Sequence, residues 1–128
     1  MIRNLMLSSG LALLVLAAAG CEILGLDGDV KVRVRNGSDQ VLTDVSIFLP
    51  RNTLFFPELL PGEASAYAVV PKAYRIVTAE VVVGQDTARA QVIDYVGETP
   101  LDGGRYTYIL RVSPGDPPSL GVDFEKER

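Results

Sequence analysis

The chain has no histidine and one cysteine, Cys21. Without histidine it lacks the commonest general base at neutral pH and the commonest metal ligand. A lone cysteine excludes an internal disulfide, and with no histidine beside it Cys–His nucleophilic chemistry is excluded too. Lys31, Lys72 and Lys126 are not preceded by serine at the Ser-x-x-Lys spacing of serine–lysine enzymes. Gly103-Gly104 is not followed by the helix that a phosphate-cradling loop requires. Asp27-Gly28-Asp29 begins like a calcium loop, but the further acids and the terminal glutamate do not follow. The remaining acids are scattered as on an ordinary solvated surface. The expectation is a protein that is not an enzyme and holds neither cofactor nor metal.

The 128-residue length suits one folded domain. Its first twenty residues, MIRNLMLSSGLALLVLAAAG, carry Arg3 as their only charge. A short positive start, an apolar centre from Leu11 to Ala19 and a small-residue end form the layout of a secretory signal. The run is too short, and too polar at Asn4, Ser8, Ser9 and Gly10, for a membrane-spanning helix, which needs about 20 apolar residues. Removing residues 1–20 leaves 11 basic and 16 acidic side chains, because Arg3 is the only ionisable group lost. The mature chain would therefore carry net charge near −5, with no electrostatic reason to seek nucleic acid.

Ala18-Ala19-Gly20-Cys21 resembles the lipobox of bacterial lipoproteins. The resemblance implies cleavage between Gly20 and Cys21 and acylation of Cys21 with diacylglycerol and palmitate-like chains. The family usually has leucine where this chain has Ala18; the nearest leucine is Leu16. Two or three acyl chains hold a protein firmly on a membrane, whereas one does so marginally. Residues 21–28 would form a short tether that reaches at most about 25 Å when fully extended. The residue after the cysteine is Glu22, followed by Ile23 and Leu24. By resemblance to known sorting rules this matches neither inner-membrane retention nor surface export. The expected location is the cell envelope, on the outer membrane facing the periplasm.

The mature sequence reads as strands and turns. Val30-Lys31-Val32-Arg33-Val34-Arg35 alternates strictly, with the period of a half-buried strand. Asn36-Gly37-Ser38-Asp39 suits a tight turn. Val41–Leu49 predicts a second strand with Val41, Thr43, Val45, Ile47 and Leu49 on one face. Residues 53–60 contain Pro57 and predict a loop or an edge strand. Leu60-Pro61-Gly62-Glu63 is a turn, followed by a strand over residues 64–70. Residues 74–83 and 87–95 predict a hairpin around Gly84-Gln85-Asp86. Residues 105–112 and 120–124 complete the set, and residues 125–128 are expected to fray. About seven short strands in a domain spanning residues 29–124 point to an all-β sandwich.

The Val34-Arg35-Asn36-Gly37-Ser38 and Leu60-Pro61-Gly62-Glu63 segments are similar to turns of immunoglobulin-like modules in bacterial envelope proteins. Leu101-Asp102-Gly103-Gly104-Arg105-Tyr106 resembles the approach to an immunoglobulin F strand. That resemblance implies an immunoglobulin-like β-sandwich with Tyr106 as its tyrosine-corner residue. The cysteine usual two positions later is Tyr108 here, so the inter-sheet disulfide is excluded.

Two residue groups are candidates for a binding surface. Lys31, Arg33 and Arg35 form a basic stripe suited to an anionic glycan or lipid; the competing reading is an outward face paired with acids on a neighbouring strand. Tyr106 and Tyr108 share a strand face and would stack on a sugar or a protein partner; the competing reading is core filling with hydroxyls at the edge. The expected function is a non-catalytic envelope lipoprotein, held to the membrane through Cys21 and binding an envelope protein or glycan. The alternative is a periplasmic inhibitor or ligand-binding protein that uses tyrosine-bearing strands and loops.

Overall fold

The computed structural model describes residues 29–127. The signal segment, the Gly20–Cys21 cleavage site, Cys21 and its tether to Gly28 lie outside the described residues, as does Arg128. Eight strands follow one another: β1 (Val30–Asn36), β2 (Leu42–Phe48), β3 (Thr53–Leu59), β4 (Ala68–Val70), β5 (Thr78–Val83), β6 (Asp86–Ala90), β7 (Gly104–Ser113) and β8 (Ser119–Glu127). They build two four-stranded sheets, ordered β4-β1-β7-β8 and β3-β2-β5-β6. The described residues contain no helix. The protein is an all-β sandwich. All neighbours are antiparallel except β1 and β7, which run parallel. β7, the strand with the corner tyrosine, thus lies between β1 and β8, whereas an immunoglobulin F strand lies between C and G.

The alternation in β1 sets its two faces. Val30, Val32 and Val34 enter the core between the sheets, while Lys31, Arg33 and Arg35 take the outer face. They meet Leu42, Val45, Ile47 and Val81 of the second sheet and Tyr106, Tyr108 and Leu110 of β7 in one hydrophobic cluster.

β2 departs from the predicted alternation. Leu42 is buried and Val41 exposed, and the inward set is Leu42, Val45, Ile47 and Leu49. The cause is a bulge: the β2–β5 register shifts between Thr43 and Ser46, and Asp44 has φ of 46°. One inserted residue moves every side chain before it to the opposite face. Across the sheet, the pairs Thr43–Glu58 and Val45–Phe56 leave Asp44 facing Pro57. Residues 53–59 are the edge strand that Pro57 permits, since only β2 adjoins them.

The strand predicted over residues 64–70 is regular only at Ala68–Val70, with one isolated bridge between Arg35 and Ala64. The hairpin is also shorter than predicted: Val83 pairs with Asp86, so Gly84 and Gln85 form the turn, and Gly84 has φ of 62°. The expected fraying after Phe124 is not observed. Glu125, Lys126 and Glu127 pair with Thr107, Tyr106 and Arg105, because β7 is long enough to template them.

Asn36-Gly37 is not a hairpin turn, since β1 and β2 belong to different sheets. Asn36 is fully buried and binds in every direction. Its Nδ2 donates to Gln40 O (2.7 Å) and Leu59 O (2.9 Å). Its Oδ1 accepts from Ser38 N (2.9 Å) and Ser38 Oγ (2.7 Å). Its backbone N donates to Glu63 O, and its carbonyl accepts from Gly62 N. The two turn motifs read separately in the sequence therefore form one joint. Gly37 is required there for space: a Cβ would stand 2.6 Å from Ile109 Cγ2 and 3.2 Å from Leu110 O.

Candidate functional site

The basic stripe lies on the outer face of the β4-β1-β7-β8 sheet, but it is not an open cationic surface. Lys31 is only 5% exposed, flanked in register by Val69 of β4 and Arg105 of β7. Arg33 Nε donates to Thr107 Oγ1 (3.0 Å), and Thr107 Oγ1 donates in turn to Glu127 Oε2 (3.1 Å). Its guanidinium approaches Glu127 Oε1 at 3.9 Å and stands 4.8 Å from the Tyr67 ring centre. Arg35 reaches Glu125 at 3.9 Å, and Arg111 pairs with Asp123. Each arginine of β1 thus crosses β7 to an acid on β8. Thr107 and Ile109 of β7, on this outer face, are buried. Alternation on β1 predicted the outward face; the acids that answer it lie on β8, more than eighty positions along the chain.

Tyr106 and Tyr108 are not a binding surface. They are 4% and 0% exposed, because β7 is an interior strand and its even-numbered residues face the core. Tyr106 Oη donates to Asp102 O (2.8 Å), which is the tyrosine-corner bond expected from the sequence. Its ring stacks on Phe124 at 5.4 Å. Tyr108 Oη donates to Tyr74 O (2.6 Å), and burial pushes its phenol well above the usual tyrosine range, with Tyr95 adding to the shift. Burial also raises Tyr95, against a hydrogen bond to Thr78 that lowers it; the nearby Tyr74 adds to the rise. Tyr74 and Tyr95 stack on each other at 4.7 Å.

One end of the sandwich stands apart. There β1 and β7 begin and β4 and β8 end. Gly104 N donates to Asp29 O, so the first described residue lies at this end. Residues 71–77 and 91–103 link the two sheets here. They enclose a cleft of about 390 Å³ lined by Arg75, Glu98, Pro100, Leu101, Asp102 and Tyr106. Arg75 and Glu98 pair across it at 3.4 Å. The backbone carbonyl of Asp29 takes a strand-end hydrogen bond, Asp27 and Gly28 lie outside the described residues, and no group of three or more acids, cysteines or histidines that could hold a metal occurs among the described residues. The sequence reading missed Ile93 and Val96 on this end, which are 94% and 88% exposed. An aliphatic pair flanking a tyrosine in a loop was the available signal.

No family model matches the sequence, and no curated protein matches it. Among solved structures, the chain is similar to the NMR structure of a protein from Eubacterium rectale, at 6% identity and a TM-score of 0.53. The match covers 74% of this chain and 88% of that one, and at such low identity it concerns the β-sandwich fold alone.

Proposed function

We propose that this chain is a non-catalytic lipoprotein of the bacterial cell envelope, anchored by acyl chains on Cys21 and carrying its β-sandwich close against the membrane. The observation that carries this reading is Ala18-Ala19-Gly20-Cys21 at the end of an apolar run, only nine positions before β1 begins at Val30. A tether of about 25 Å keeps the domain at the surface where its lipid sits. The outer membrane, with the domain in the periplasm, agrees with Glu22-Ile23-Leu24 after the cysteine. The function is then to bind or brace another component of that membrane. A ligand-binding role resting on Tyr106 and Tyr108 has no support, since both rings are in the core.

The test is metabolic labelling with a palmitate analogue in cells that express the wild-type chain and Cys21→Ala, followed by membrane fractionation. Wild type should label and sediment with outer-membrane markers. The variant should remain unlabelled and uncleaved, or appear as a soluble species. Equal labelling of both would refute the anchor, and sedimentation with inner-membrane markers would refute the location.

A further inference from the structure

We infer that residues 91–98 form a membrane-seating loop, which lays Ile93 and Val96 into the lipid surface on which the chain is tethered. The inference rests on the anchored reading and adds a second, non-covalent contact to it.

Ile93 and Val96 are by far the most exposed large apolar residues described; the next, Val69, is 60% exposed. A single exposed aliphatic residue is ordinary on a protein surface. Two on one loop, both nearly bare, are not explained by packing. The loop is held in place rather than loose. Val92 N donates to Thr78 Oγ1 (3.0 Å), and Val96 N donates to Asp94 Oδ1 (3.1 Å). Glu98 N donates to Tyr95 O (2.9 Å), and Leu101 N donates to Ala73 O (2.9 Å). Between the two aliphatics, Tyr95 turns inward onto Tyr74. The amphipathic ring is thus packed while the purely apolar side chains face outward, the reverse of what a water-facing loop favours.

Position selects the occupant. The loop lies at the end of the sandwich where Asp29 meets Gly104 and the N-terminal segment joins the domain. Ile76, also exposed, belongs to the neighbouring linker at the same end. Seven residues separate Cys21 from Asp29, a reach of at most about 25 Å, so this end of the domain is the one nearest a bilayer that holds the lipid. A mature net charge near −5 gives no electrostatic attraction to anionic lipid, so the contact is apolar and should resist salt.

The protein has no tryptophan, which makes a single introduced indole a clean reporter. The full chain, expressed in bacteria with its signal segment, purified and reconstituted into phosphatidylcholine vesicles with brominated acyl chains, is compared as Ile93→Trp, Val96→Trp and Val41→Trp. Val41 is exposed at the opposite end, before β2. The seating loop predicts blue-shifted emission and several-fold stronger bromine quenching at positions 93 and 96 than at 41, unchanged by high salt. Water-like emission and equal quenching at all three positions would overturn it and leave a protein or glycan as the loop's partner. Agreement between positions 93 and 96, with unchanged melting temperatures, separates seating from misfolding. Palmitate labelling of the same samples reads the anchor independently. A labelled chain without quenching rejects the loop and keeps the anchor. An unlabelled chain with quenching keeps the loop and rejects the anchor, and an unlabelled, unquenched chain rejects both.

Discussion

Replacing Asn36 with alanine deletes a side chain that joins two loops and two sheets. Four hydrogen bonds disappear: those to Gln40 O and Leu59 O, and those from Ser38 N and Ser38 Oγ. The Leu59 carbonyl sits in a buried bond and has no room to find water, so its desolvation is uncompensated. Each buried polar group left unpaired costs about 1–3 kcal/mol. Leu59 O carries that cost in full, while Gln40 O and Ser38 N lie nearer solvent and recover part of it. A loss of about 3 kcal/mol follows, which for a domain of this size lowers Tm by roughly 12–24 °C. Ser38→Ala is the internal control: it removes one donor to Oδ1 and two exposed contacts with the Gln40 backbone, which water replaces, while Ser38 N still satisfies Oδ1, so the cost is about 1 kcal/mol or less. The assay is urea unfolding followed by far-ultraviolet circular dichroism, with calorimetry for Tm. An Asn36→Ala loss below about 1 kcal/mol would mean that the joint is incidental and the sheets are held by apolar packing alone.

Further expectations follow from single contacts. Gly37→Ala should cost about 1–3 kcal/mol, because the new Cβ meets Ile109 Cγ2 and the Leu110 carbonyl; Gly84→Ala, with open space but positive φ, should cost about 1–2 kcal/mol, and chemical denaturation ranks the two. Tyr108 holds its proton in the folded state more tightly than in the unfolded state, so it withdraws stability as pH rises above 10.0, the value of an unperturbed tyrosine. Tm measured from about pH 8 to about pH 11 should fall less steeply in Tyr108→Phe than in wild type. A chain ending at Phe124 should lose about 2 kcal/mol, since it removes the last pairs of β8 and the acids that face Arg33 and Arg35; unchanged unfolding midpoints would show that the end of β8 contributes nothing.

Much of the fold is legible in the chain itself. Strict alternation from Val30 to Arg35 defines a two-faced strand, and Pro57 restricts its segment to an edge. The approach to Tyr106 specifies the corner bond to Asp102 O, a contact spanning four positions that local sequence encodes well. What the tertiary structure alone decided are the outcomes of long-range pairing. A period of two says that a strand has two faces, but not what lies opposite either one. The bulge at Asp44 therefore reversed the face of Val41 without any turn residue to signal it. Residue type leaves Tyr106 and Tyr108 open between a binding face and core filling, and places Lys31 outward; core filling for the tyrosines and burial for Lys31 follow from β1 and β7 being interior strands. Glu125–Glu127 are charged and terminal, and they are ordered because β7 offers unpaired backbone as far as Arg105. Asn36-Gly37 looked like turn chemistry; the glycine serves close approach to β7, and the asparagine caps a carbonyl 23 positions away. Residues this distant in sequence meet only once the core has placed both sheets, and that is why their roles could not be read from the chain one segment at a time.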